Sequence, residues 1–186
     1  MNTPKLNLEN VSISEKSNSI LDTTQKSLGF VPNMYKGMAA NTSTLDSYFY
    51  AYDSFRKNSG FTSVEQEVVF LSVSYFNNCE YCVAAHSFVG DMMTKVPKDV
   101  TDAIRDGREI ADAKLNALSN FTKTMTEKRG WASQKDLDTF FSAGYSETHV
   151  LGVITGIAVK TISNYSNHLT QPEVDKAFEM RKWSKS

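Results

Sequence analysis

The chain is short of several things, and each shortage narrows what it does. It has two cysteines in 186 residues, too few for a disulfide framework in a chain this size. Its 20 basic and 21 acidic residues nearly cancel. No Lys/Arg run sits in an organised setting, so neither nucleic acid nor another polyanion is expected as a partner. The basic run Arg181-Lys182-Trp183-Ser184-Lys185 is short and reads as a solvated end. No apolar run approaches the ~18 residues that a membrane helix needs. The most apolar stretch, Val150 to Val159, is broken by Gly152, Thr155 and Gly156. Residues 1–19 are polar and carry no secretory leader core, which points to the cytoplasm and predicts no membrane contact.

What remains is an ordinary globular composition, 40% hydrophobic and 22% charged, sized for one domain with a substantial core. Helical periodicity recurs almost everywhere and strand alternation is hard to find. The pattern predicts a helix over 15–28 stopped by Gly29, and one or two over 33–58 with a break at Asn41-Thr42-Ser43. Thr62-Ser63-Val64-Glu65-Gln66 offers two overlapping capping boxes for a helix running to Asn77-Asn78. The next helix extends to about Lys95. Pro97 opens another, which Gly107 stops. Further helices are expected over 110–128, from Ser133 to about Ala143, and from about Ser146 to Leu169. In the last, Val150, Leu151, Ile154, Ile157, Ala158, Ile162 and Tyr165 follow helical spacing. The fold class is all-α, with about eight helices. A polar segment 1–19 and a tail 176–186 flank a single domain over 20–175.

Both cysteines fall in one segment, Cys79-Glu80-Tyr81-Cys82-Val83-Ala84-Ala85-His86. On a helix, Cys82 lies about 60° round the axis from Cys79, and His86 about 40° from Cys82. Two thiols that can touch, one turn from an imidazole, make a compact unit for thiol redox chemistry. Zinc would find three donors here, but a structural site wants a fourth, and His149 and His168 are far off in sequence; no metal or other cofactor is expected. A thioredoxin-type site would need a βαβ context, and both flanks are helical. A buried pair of inert cysteines is the plainest alternative.

Glu67 lies twelve residues before Cys79. In an antiparallel hairpin turning at Asn77-Asn78, it comes within ~3 Å of axial travel of His86. Glu67 is then either the partner of His86 or a solvated glutamate favoured by the helix N-terminus.

Glu67 followed by Cys79-x-x-Cys82-x-x-x-His86 resembles the site pattern of the AhpD-like alkylhydroperoxidases of the carboxymuconolactone decarboxylase superfamily. Leu28-Gly29-Phe30-Val31-Pro32-Asn33 resembles the entry segment of that family. Asn164-Tyr165-Ser166-Asn167-His168-Leu169, ahead of Pro172, resembles the end of its last core helix. The better-characterised members often carry a histidine before the second cysteine. Here that place is Tyr81, as in the peroxidase-related branch.

The resemblance implies an all-helical, cofactor-free homo-oligomer, a trimer or hexamer. It implies a peroxidase that reduces hydrogen peroxide or organic hydroperoxides and is recharged by an external dithiol reductant. Glu67 and His86 would be the proton relay, Cys79 and Cys82 the redox pair, and Tyr81 a residue behind the site or at the substrate pocket. The decarboxylases of the superfamily lack the cysteine pair, which disfavours that activity. The rival functions are a non-enzymatic redox sensor or dithiol carrier, and a helical binding protein with vestigial cysteines. The helix dipole favours Cys79 as the attacking thiol, whereas proximity to His86 favours Cys82; the reading leans to Cys82. Gly152, Gly156 and Ala158 are expected to permit close helix approach between subunits.

Overall fold

In the computed structural model, residues 4–185 are described. The polar segment 1–19 is therefore seen from Pro4 onward and the tail as far as Lys185. Among the described residues nine α-helices follow one another: α1 Glu15–Leu28, α2 Asn33–Met38, α3 Thr42–Asn58, α4 Ser63–Phe76, α5 Glu80–Val89, α6 Lys98–Arg105, α7 Ala113–Glu127, α8 Gln134–Ser142 and α9 Glu147–Thr170. A π-helical turn, Gly90–Thr94, extends α5, and a 3-10 helix, Lys176–Arg181, follows α9. No strand occurs among the described residues. The all-α class and the break between α2 and α3 agree with the sequence reading.

The centre of the domain is α4. Every residue from Glu65 to Ser74 is buried, and the helix packs against α7, α5, α9 and α6. Its sequence is apolar almost all round, the pattern of a helix with neighbours on every side. Phe70 and Leu71 are completely enclosed, each burial contributing roughly 1.5–3 kcal/mol. Of the two overlapping capping boxes, only Thr62 with Glu65 forms. Gln66 instead donates to the Arg56 and Phe61 carbonyls, tying the loop before α4 to α3.

The α4–α5 hairpin turns on Asn78, which adopts a left-handed backbone (φ 55°). Cys79 N–H closes the end of α4 on the Ser74 carbonyl at 2.9 Å, and Cys79 becomes the N-cap of α5.

Three expectations need correction. The boundary at residue 20 falls inside α1, whose N-cap is Ser14 and which buries Ser17. The segment from Lys176 to Trp183 is docked on the domain rather than solvated. Phe178 is buried, Arg181 reaches Asp91 and Asp102 at 3.1 and 2.8 Å, and Trp183 donates to the Arg105 carbonyl at 2.9 Å. Two aromatic anchors and paired charges hold down a segment whose basic character alone suggested water.

The third correction concerns α9, whose buried face is not its apolar stripe. It buries Gly152, Val153, Gly156, Val159, Lys160, Ser163, Asn164 and Asn167, while Leu151, Ile154, Ala158 and Tyr165 are exposed. Gly152 and Gly156 serve contacts within the chain. A Cβ at Gly152 would meet the Ser59 carbonyl oxygen at 2.8 Å, and one at Gly156 would meet Val69 at 2.6 Å. The small residues let α9 lie close on α3 and α4.

Candidate active site

Helix α5 brings the CxxC to the interior. Cys79 and Cys82 are both buried, as free thiols. The two thiols interact with each other. From α9, Asn167 Nδ2 approaches Cys82 Sγ at 3.2 Å and Cys79 Sγ at 3.6 Å, and Ser163 Oγ lies 3.9 Å from Cys82 Sγ.

These contacts separate the two thiols. The neighbouring Cys82 sulfur and burial push the Cys79 thiol well up. Burial also opposes a charge on Cys82, but the neighbouring Cys79 thiol and the Lys160 charge outweigh it and hold Cys82 well below the usual thiol range. At Cys79 the helix end is outweighed by the neighbouring Cys82 sulfur and by burial.

Glu67 and His86 meet across the α4–α5 hairpin, with His86 Nδ1 2.8 Å from Glu67 Oε2. Glu67 is fully buried and not solvated as the alternative required. Arg56 from α3 takes its other oxygen and also donates to Gln66 Oε1 and the Tyr52 hydroxyl. Burial alone would raise the Glu67 carboxyl, but His86 and Arg56 reverse this and hold it below the usual range. Burial and Lys160 keep His86 neutral against the pull of Glu67. An ionised Glu67 accepts only, so Nδ1 carries the imidazole proton and Nε2 is left as an acceptor. The Phe70 ring packs on the imidazole with centroids 4.9 Å apart.

A pocket of about 480 Å³ opens beside this cluster. Phe30, Met34, Tyr35, Tyr48, Phe88 and Phe178 supply most of its apolar wall, and His86, Arg56 and Tyr81 its polar points. Neither cysteine lines it, so an occupant meets the imidazole first. Tyr81 stands at the pocket wall, with its hydroxyl donating to the buried Asp175; burial and that carboxylate raise its pKa. Asp175 also accepts from the Asn33 N–H at 3.2 Å. The other histidines are elsewhere. His149 Nδ1 accepts from the Ser146 N–H at the start of α9, and His168 stacks on Tyr165.

All five sequence-predicted residues therefore converge: Glu67, Cys79, Tyr81, Cys82 and His86. Sequence reasoning missed Arg56, Lys160, Ser163, Asn167 and Asp175. A signal existed for three of them: Lys160, Ser163 and Asn167 share one face of α9 with Gly156 and Val153, spaced three or four apart.

No family model matches the sequence, and no curated protein matches it. Solved structures do. A peroxidase-related protein from Silicibacter sp. TM1040 superposes with a TM-score of 0.78 at 19% identity, covering 96% of this chain and 95% of that one. An alkylhydroperoxidase AhpD core protein from Ralstonia eutropha JMP134, also described as peroxidase-related, gives 0.81 at 18% identity over the same shares. The debrominase Bmp8, bound to 2,3,4-tribromopyrrole, gives 0.69 at 13% identity over 95% of this chain and 97% of that one. The chain has the AhpD-like fold of these peroxidase-related proteins.

Proposed function

We propose that the protein is a thiol peroxidase working through a Cys79/Cys82 dithiol–disulfide cycle. The observation that carries this reading is the asymmetry of the pair. Asn167 Nδ2 lies nearer Cys82 Sγ, at 3.2 Å, than Cys79 Sγ, at 3.6 Å, and Ser163 and the Lys160 charge favour a thiolate at Cys82 in the same direction.

The Cys82 thiolate attacks the terminal oxygen of a hydroperoxide. The S–O bond forms, the O–O bond breaks, and the alkoxide or hydroxide leaves with a proton from solvent relayed by His86. Cys82 is now a sulfenic acid. The Cys79 sulfur displaces its hydroxyl as water and closes the disulfide, and an external dithiol returns two electrons and two protons. Glu67, ionised and anchored by Arg56, fixes the tautomer that leaves Nε2 free to accept a proton. Tyr81 has no proton to relay while Asp175 holds it, so its part is to shape the pocket and to tie α5 to the C-terminal segment.

The test is time-resolved thiol loss with hydrogen peroxide and with an organic hydroperoxide, followed by turnover with a dithiol. Peroxide rate constants no faster than those of a free thiol would point to a redox sensor or dithiol carrier instead. The aromatic pocket also suits a flat aryl molecule, the kind of ligand the debrominase neighbour holds. A bromopyrrole therefore belongs in the same assay.

The working unit is proposed to be a homo-oligomer, a trimer or hexamer, in the cytoplasm. The apolar stripe that α9 leaves in solvent, Leu151, Ile154 and Tyr165, supports this, because such a stripe is normally covered. No helix among the described residues is long and apolar enough to cross a membrane.

A further inference from the structure

Lys160 is completely enclosed in the middle of α9, and its Nζ has no hydrogen-bond partner. A buried ammonium is strongly unfavourable without a counter-charge. The two carboxylates of this region are engaged: Glu67 with Arg56 and His86, Asp175 with Tyr81 and the Asn33 N–H. Lys160 nevertheless belongs to the active-site cluster. Its Nζ is 5.4 Å from the centre of the Phe70 ring, which also packs on His86 at 4.9 Å and on Arg56 at 4.8 Å. On α9, Lys160 lies three residues before Ser163 and seven before Asn167, on the buried face that meets the Cys82 sulfur.

We infer that Lys160 is the buried counter-cation of the Cys82 sulfur, a positioning residue that balances the thiolate rather than touching the peroxide. The inference deepens the dithiol reading of the site, and its geometry holds whatever the oxidant. The charge accounting supports it: Arg56 and Glu67 cancel, His86 is neutral, and only a thiolate is left to offset Lys160. The Lys160 charge acts on Cys82 in that direction, lowering its pKa. The other titratable groups acting on Cys82 are Cys79, His86 and Tyr81 from α5, Tyr35 from α2 and Tyr48 from α3. The tyrosines are neutral at ordinary pH, and their own acidity is suppressed.

The test is made in a Cys79→Ser background, which leaves one thiol and keeps a hydroxyl donor beside it. Ultraviolet thiolate absorbance is followed against pH with and without Lys160→Met. The expected result is a rise in the Cys82 midpoint of at least about one pH unit, or about tenfold less thiolate at a pH below both midpoints. An unmoved midpoint in the folded variant would overturn the pairing. Lys160→Met removes a buried charge and is a candidate for misfolding, so a second measurement leaves Lys160 in place. In lysine-labelled protein carrying Cys79→Ser alone, the Lys160 side-chain NMR signal should move in step with the Cys82 titration. No response there would sink the pairing equally. Neither readout uses peroxide. A shifted thiolate in a protein with no peroxide turnover would keep this pairing and reject the peroxidase reading.

Discussion

Tyr81, one of the two residues between the cysteines of the motif, donates a hydrogen bond from its hydroxyl to Asp175, 94 residues further along the chain. The contact ties the first turn of α5 to the segment just after α9, and places the Tyr81 ring edge-on to Phe178, 6.2 Å centre to centre. The position that often holds a histidine in the family that the motif resembles is here a structural clasp at the pocket wall.

Tyr81→Phe should keep the ring and lose the clasp. Asp175 would remain buried with only the Asn33 N–H to satisfy it, at a cost of about 1–3 kcal/mol. Denaturant unfolding should report that loss. Amide exchange should quicken over residues 176–181 before it quickens in α4. Unchanged exchange in the C-terminal segment would show that Phe178, Arg181 and Trp183 hold it without help.

Single cysteine replacements should behave unequally. Cys79→Ser should accumulate a sulfenic acid on Cys82, because the attacking sulfur remains and the resolving thiol is gone. Cys82→Ser should react slowly. Neither should turn over with a dithiol. A sulfenic-acid probe and intact mass would decide the roles, and a label on Cys79 in Cys82→Ser, with none on Cys82 in Cys79→Ser, would reverse them.

Glu67→Gln should be costly to the fold as well as to the chemistry. Arg56 would lose the anion it faces in a largely enclosed site, which destabilises by about 3 kcal/mol or more. An amide can also offer His86 a donor, so the imidazole tautomer would no longer be set. The peroxide step should slow in Glu67→Gln and in His86→Ala, by ~10²–10⁴-fold for loss of the base. Stopped-flow thiol oxidation would measure it.

The protein should lose stability in acid in two overlapping stages. Both His86 and Glu67 have folded pKa values below their unfolded ones, so the unfolded chain binds the extra proton and stability rises with pH. The His86 contribution is whole above its usual 6.5 and declines as pH falls below that toward its lowered folded value. The Glu67 contribution is whole above 4.5 and is lost below it. Thermal unfolding from pH 8 down to about pH 3 (about the range in which both groups act) should show the first decline starting near 6.5. His86→Phe should remove that first stage and shrink the second, which Arg56 alone then supports.

The exposed stripe of α9 carries a prediction about assembly. Light scattering at micromolar concentration should find an oligomer. Replacing both Leu151 and Ile154 with glutamate should shift it toward monomer while leaving the helical circular dichroism intact, since both side chains are solvent-exposed in the single chain. A wild-type monomer would remove the case for the interface.

Much of this protein is local and therefore legible in the sequence. Helix starts are written in short capping patterns such as Thr62 with Glu65, and stops in residues that accept a left-handed backbone, such as Gly29 and Asn78. The cysteines' shared face follows from helical spacing. The Glu67–His86 contact follows from one tight hairpin, since the turn at Asn78 leaves few ways to pair α4 with α5.

The rest depends on which elements pack together, which spacing within one helix does not encode. The apolar residues of α9 could be read as its core face, yet the most deeply buried face mixes Gly152, Val153, Gly156 and Val159 with Lys160, Ser163, Asn164 and Asn167, because close contact with α3 and α4 needs the glycines at 152 and 156 on that side. That rotation carries Lys160, Ser163 and Asn167 toward the cysteines and leaves Leu151 and Ile154 outside. Likewise, nothing local to Arg56 points to Glu67, and nothing near Asp175 points to Tyr81. The amino-acid sequence by itself determined the helices and the dithiol with its histidine. The tertiary structure decided which polar side chains meet those sulfurs, because Ser163 and Asn167 arrive from a helix distant in the chain.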